Sequence, residues 1–195
     1  MIKIENIKKT ISKRKILNGI NLICEKGKIQ ALLGANGAGK TTLINIISGL
    51  SKSTKGCFYI NDEKIDLDNY TYRKNVGYVF ENPLYFEKLT AKEYLTFVAE
   101  MYELTKDSSI NRVEELILFF ELPRESSKKI ESYSKGMKKK VSIAASLIHN
   151  PSYLILDEPF DGLDFVSIEK TKRLLRKISD HGTTILITSH QFDIV

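Results

Sequence analysis

Tryptophan is absent from the chain, and cysteine, proline and methionine are sparse at two, four and three residues. No apolar run approaches the ~20 residues that a helical membrane span requires. The N-terminus, MIKIENIKK, interrupts its isoleucines with charges, so no secretory signal is expected. Cys24 and Cys57 stand apart without C-x-x-C spacing. Neither a disulfide framework nor a zinc site is supported, and a reduced, cytoplasmic compartment is expected. There is no internal repeat, low-complexity tract or proline-rich linker. What is present is ordinary: 195 residues, 42% hydrophobic and 28% charged, fit one globular domain. Disordered, collagen-like and coiled-coil classes are excluded.

The net charge of +6 favours anionic partners without choosing between nucleotide, nucleic acid and an anionic membrane surface. The excess lies in residues 8–15 and 124–140, where seven cations of the second patch face Glu125 and Glu131. Each patch reads equally as a solvated basic face.

Residues 2–7 and 20–24 alternate apolar and polar with period two, as half-buried strands do. Residues 29–33 are an apolar run entering a glycine cluster, a buried strand feeding a loop. A helical stripe of Leu43, Ile44, Ile46, Ile47 and Leu50 follows, and strands are expected at 57–60 and 76–80. From about 90 the period becomes helical. Thr90 and Glu93 have capping-box spacing, and Leu95, Val98, Met101 and Tyr102 share a face. A second helix is expected from about Asn111, burying Val113, Leu116, Ile117 and Phe120. After Gly136 a helix carries Val141, Ala144, Ala145 and Ile148. Residues 153–156 and 184–188 read as strands, and 165–179 as a helix capped by Asp164. Strands alternating with helices predict an α/β fold with a parallel sheet, interrupted by a strandless helical insert at about 88–135.

Gly34-Ala35-Asn36-Gly37-Ala38-Gly39-Lys40-Thr41 fits G-x-x-x-x-G-K-[ST] between an expected strand and an expected helix, the context this pattern demands. Glycines let backbone N–H groups approach phosphate oxygens without an obstructing Cβ. The helix opening there points its positive end at the same anion. Lys40 supplies a compact cation for the β- and γ-phosphates, and the Thr41 hydroxyl is placed for Mg2+. Asp157, 117 residues after Lys40, ends the apolar strand Tyr153-Leu-Ile-Leu-Asp157 and is followed by Glu158-Pro159. In a phosphate-loop fold the strand beside the loop brings an Asp to the metal, which gives Asp157 that part. Glu158 is placed to orient or deprotonate an attacking water.

Four more segments stand in a telling order: Val76-Gly77-Tyr78-Val79-Phe80-Glu81-Asn82-Pro83, Ser134-Lys135-Gly136-Met137-Lys138, Phe160-Asp161-Gly162-Leu163-Asp164 and Ile187-Thr188-Ser189-His190. Together with the phosphate loop and the acidic strand end, they resemble the nucleotide-binding subunit of ABC transporters over essentially the whole chain. The nearest likeness is to bacterial multidrug and bacteriocin-immunity exporters.

That resemblance implies a single ATP-binding domain over residues 1–195. Its fold would be a P-loop NTPase core with a parallel sheet, an N-terminal antiparallel β subdomain and an inserted α-helical subdomain. It implies an ATPase that uses Mg2+ and drives transport, with export expected. Two subunits, a homodimer or pseudo-dimer, would pair head to tail. Each ATP would lie on one phosphate loop, Thr42 included, under Ser134 and Gly136 of the other subunit. Thr41, Asp157 and Glu81 would hold the metal. Lys40, Glu158 and His190 would be catalytic, and residues 161–164 would cross the dimer seam. A separate transmembrane permease would be the partner, with no nucleic acid. Leu84, Tyr85 and Phe86 would help to dock it, though they read equally as a buried hinge. The location would be cytoplasmic, peripheral on the inner face of the cell membrane.

Three departures stand out. Glu81 occupies a position where the family usually has glutamine; some bacteriocin- and lantibiotic-immunity transporters share the glutamate. A carboxylate binds a hard cation more strongly than an amide carbonyl does. Residues 1–57 contain no aromatic to stack on adenine, so Ile11 or Arg14 must serve there. A lost ring costs about 1–3 kcal/mol of stacking, and weak discrimination between ATP and GTP is expected. The sequence also ends five residues past His190, where relatives continue, so a truncated or unusually short form is expected. Two other readings remain: a soluble ABC-type ATPase, and a small-molecule kinase that leaves residues 134–138 and 161–164 without a role.

Overall fold

The computed structural model describes residues 1–66, 70–83, 85–124 and 128–191. In chain order the elements are β1 (Ile2–Ile11), β2 (Arg14–Cys24), β3 (Ile29–Leu33), α1 (Lys40–Ile47), β4 (Lys55–Ile60), β5 (Glu63–Lys64) and β6 (Val76–Val79). Then follow α2 (Ala91–Met101), α3 (Lys106–Phe120), α4 (Lys135–Leu147), β7 (Tyr153–Asp157), α5 (Phe165–Asp180) and β8 (Thr184–Ser189). They build two sheets. One is antiparallel, ordered β2-β1-β4-β5, and the other is parallel, ordered β3-β8-β7-β6.

The central parallel strands β7 and β8 are buried along their whole length, with both faces covered, whereas the edge strand β3 leaves Gln30 and Leu33 exposed. Leu154, Leu156, Ile185 and Ile187 join the core formed with α2, α3, α4 and α5. Tyr153, Ile155 and Leu186 point the other way, into a core shared with α1 and the antiparallel sheet. Alternation of side chains along each strand thus sorts one sheet between two cores.

Several boundaries differ from the sequence expectation for physical reasons. The period-two reading stops at residue 7, yet β1 runs on to Ile11. A bulge causes this: Asn6 has φ 49°, the pairing register slips between Ile4 and Ile7, and the buried position moves from Ile2 and Ile4 to Ile7. Helix α3 starts at Lys106 rather than near Asn111, because Thr105 caps a polar first turn that carries no apolar stripe. The expected Thr90–Glu93 capping box is formed, but α2 buries Ala91, Leu95 and Ala99 while Met101 lies 67% exposed. Finally, the strand beside the phosphate loop is β8. It intervenes between β3 and β7, so Asp157 reaches the loop from one strand further away.

Candidate functional site

The carboxyl ends of β3, β8 and β7 lie side by side, the edge at which open parallel sheets bind ligands. Leu33 pairs with Ser189 and Asp157 with Thr188, and the Gly34 amide donates to the Ser189 carbonyl at 3.2 Å. The loop between β3 and α1 therefore begins against the end of β8. It turns into α1 through Gly39 at φ 94°, where an added Cβ would meet Leu17 Cδ2 at 2.7 Å.

Helices α2, α3, α4 and α5 are capped by the side chains of Thr90, Thr105, Ser134 and Asp164. Helix α1 has no side-chain cap, which leaves its first amides and the dipole's positive end facing the loop. Lys40, 9% exposed, donates to the carbonyls of Gly34 at 2.7 Å and Ala35 at 3.3 Å, and its Nζ lies 3.5 Å from Glu158 Oε1. Residues 34–42 thus form an anion cradle of amides, a helix end and a buried ammonium.

Beside it, oxygens gather. The Thr41 hydroxyl donates to Glu81 Oε2 at 3.0 Å. Asp157 is fully buried: its Oδ1 accepts from the Thr188 hydroxyl, while Oδ2 has no hydrogen-bond partner. Burial raises the Asp157 carboxyl above its ordinary pKa, and the Glu81 and Glu158 charges add to this, opposed by the Thr188 and Thr41 hydroxyls. An orphaned buried carboxylate oxygen beside a hydroxyl and a second carboxylate suits a hard cation. Among the described residues no group of three or more His, Cys, Asp or Glu could hold a metal by itself. Mg2+ needs no such group, since it is usually held by one or two carboxylates together with waters and substrate phosphates. The residues fit it.

Glu158 follows Asp157 with φ 47°, a left-handed conformation that costs of order 1–3 kcal/mol outside glycine. Its amide donates to the Thr188 carbonyl and hydroxyl oxygens, both at 3.2 Å, which hold the turn. The carboxylate, 7% exposed, is gripped from two sides, by Lys40 and by His190 Nδ1 at 2.9 Å from Oε2. The structure thus brings together Lys40, Thr41, Glu81, Asp157, Glu158 and His190.

Ser134 and Gly136 lie apart from that group, against the 161–164 turn. Ser134 Oγ accepts from the Met137 amide at 3.2 Å, and Lys135 pairs with Asp161 at 2.7 Å. A Cβ on Gly136 would meet the Gly162 carbonyl at 2.5 Å, so the two turns pack backbone to backbone. Ile11 ends β1 in the hairpin and is 48% exposed. Leu84 lies outside the described residues. Tyr85 is half-buried and donates to the Lys138 carbonyl at 2.7 Å, and Phe86 is 57% exposed.

Two structural roles escaped the sequence reading. Thr188 clamps both Asp157 and Glu158, and only strand register identifies it. Lys139 lies in a basic patch that the sequence leaves open between a solvated face and an anion-binding one, yet it is 3% exposed. Its spacing to Ser142, Ile143, Ser146 and Leu147, all buried on α4, was the available signal. Burial pushes its ammonium below the ordinary lysine value, against the pull of Asp161, Asp157 and Glu81.

The ABC transporter family profile matches residues 17–161. The linearmycin resistance ATP-binding protein LnrL of Bacillus subtilis (strain 168) is 35% identical over 100% of this chain and 63% of its own length. The lantibiotic transport ATP-binding protein SrtF of Streptococcus pyogenes is 35% identical over 97% of this chain and 80% of its own. The bacitracin transport ATP-binding protein BcrA of Enterococcus faecalis is 37% identical over 97% of this chain and 61% of its own. The chain therefore spans about three fifths of the length of LnrL and BcrA. Among solved structures, an ATP-binding subunit of an ABC transporter superposes with TM-score 0.89 at 31% identity, covering 99% of this chain and 80% of the other. The ATP-binding cassette MJ0796, a post-hydrolysis dimer bound to ADP and Pi, gives TM-score 0.89 at 29% identity, covering 100% and 90%. The chain belongs to the ABC transporter family and carries that family's ATP-binding fold.

Proposed function

We propose that this chain is the ATP-hydrolysing subunit of a membrane exporter, working as a head-to-tail pair on the inner face of the membrane. The observation that carries the reading is the gathering of Lys40, Thr41, Glu81, Asp157, Glu158 and His190 at one sheet edge. Mg2+ held by Thr41, Asp157 and Glu81 would neutralise charge on the β- and γ-phosphate oxygens. Lys40 exchanges its two loop carbonyls for phosphate oxygens, with which a charge-assisted bond is stronger. Glu158, braced by His190, orients the attacking water or takes its proton. Ser134 and Gly136 of a second copy bring the N-terminus of α4 to the γ-phosphate, so turnover waits for pairing.

A membrane partner is favoured over a nucleic acid by the surface. Of the seven cations in residues 124–140, Lys129, Lys135 and Lys138 are ion-paired and Lys139 is buried. In contrast, a groove of about 650 Å³ runs beside Thr41 and Glu81, lined by Leu50, Phe80, Tyr94 and Val98. A partner segment seated there would lie next to the metal ligands. The names of LnrL, SrtF and BcrA support an antibiotic or lantibiotic as the class of cargo.

The test is a pair of variants. Lys40→Ala should cut ATP turnover by about a hundredfold or more. Glu158→Gln should form a dimer with ATP in light scattering and remain a monomer without it. A Lys40→Ala protein with parental turnover, or a Glu158→Gln protein monomeric at saturating ATP, overturns the reading.

A further inference from the structure

The segment joining β6 to α2 is laced to the start of α4. Tyr85 donates to the Lys138 carbonyl at 2.7 Å, and Lys138 Nζ pairs with Glu87 at 2.8 Å. The Glu131 amide donates to the Glu87 carbonyl at 3.0 Å and the Ile130 amide to the Leu89 carbonyl at 2.9 Å. At the head of this seam lies Lys139, whose Nζ donates to the carbonyls of Phe80 at 3.4 Å and Glu81 at 3.3 Å. These are the carbonyls of the two peptide groups flanking the Glu81 α-carbon. Glu81 in turn accepts from Thr41.

Burying an ammonium against two neutral carbonyls is costly, and a neutral side chain of similar length would avoid the cost. What the charge achieves is a grip on main chain. We propose that Lys139 is a positioning residue: it pins the peptide groups on both sides of Glu81 to α4, so that the Glu81 carboxylate faces Thr41 and the cation expected there. Because Ser134 caps α4, the helix that would cover a second copy's nucleotide is then tied to the proposed metal ligand of its own copy. The inference rests on the proposed ATPase reading.

The experiment measures ATP affinity by calorimetry, with Mg2+ and with EDTA, for the parent, Lys139→Met, Lys139→Arg and Glu81→Gln, alongside their melting temperatures. Outer groups that orient a metal ligand typically contribute 10–100-fold to metal affinity. Lys139→Met should weaken Mg-ATP binding about tenfold while leaving metal-free ATP binding unchanged, and Lys139→Arg should recover most of the loss. In a Glu81→Gln background the same methionine should add little, since its effect travels through Glu81. A purely structural lysine would lower the melting temperature and both affinities together, and that result overturns the inference. So does an unchanged ratio of Mg-ATP to metal-free affinity in Lys139→Met. A parent that binds no ATP under either condition overturns the ATPase reading and, with it, this inference.

Discussion

Glu81 is the residue where charge has been added to the site. Its carboxylate accepts from Thr41 and contributes to the raised pKa of Asp157, so the Glu81–Asp157 pair adds a repulsion to the one that Asp157 already has with Glu158. Such a pair is costly alone and favourable around a divalent cation. Glu81→Gln should therefore retain ATP turnover but raise the half-saturating Mg2+ concentration by roughly tenfold. A Mg2+ titration of ATP hydrolysis reads this directly, and an unshifted midpoint contradicts it. At this scale the sequence was informative about placement wherever a motif was present, as at Lys40 and Asp157, which the structure brings to one sheet edge. It was silent at Thr188, whose two contacts depend on the register of β8 against β7. It did not single out Lys139 from its basic run, because the buried position shows only when the helical face is counted.

Among the elements, strands and helices were largely legible because apolar periodicity and burial are the same physical fact seen twice. The losses came where backbone geometry broke the period. A bulge carried β1 past residue 7, and a polar capped turn hid the start of α3. Strand order was not legible at all. Nothing local in residues 184–189 says that they insert between β3 and β7. The contact between α4 and the turn after β7 belongs to the same non-local class. A methyl group at Gly136 would need the Gly162 carbonyl to retreat, and both partners are backbone. Gly136→Ala should cost roughly 1–3 kcal/mol, lowering the melting temperature by several degrees in circular dichroism. It should also abolish ATP-dependent pairing of the Glu158→Gln protein. A melting temperature equal to the parent's would contradict the packing argument.

For the molecule as a whole, acid sensitivity has an identifiable source besides the candidate site. His149, just past the end of α4, stacks on Tyr102 with ring centroids 3.6 Å apart, and neither ring nitrogen has a hydrogen-bond partner. Burial pushes its pKa down to about 4; the Val76 main chain acts the other way without completing a hydrogen bond. The folded state therefore favours the neutral ring. This stability is fully present above the unfolded value near 6.5 and is lost as pH falls towards 4. Allowing for solvent screening, the loss is on the order of 1 kcal/mol. Melting curves of the parent and His149→Phe, recorded from pH 7 to pH 4, should diverge, the phenylalanine protein losing less. Parallel curves would assign the acid sensitivity elsewhere.

The position of β8 also sets when the candidate site can be completed during synthesis. On a ribosome, β3 and β7 emerge before the strand that separates them, and each presents an unpaired edge until Thr184–Ser189 follows. The phosphate loop, complete by residue 41, has no Thr188 clamp on Asp157 and no His190 against Glu158 until then. On the proposed reading, a nascent chain has no complete hydrolytic site until β8 has emerged, and until then the facing edges of β3 and β7 stand open to aggregation.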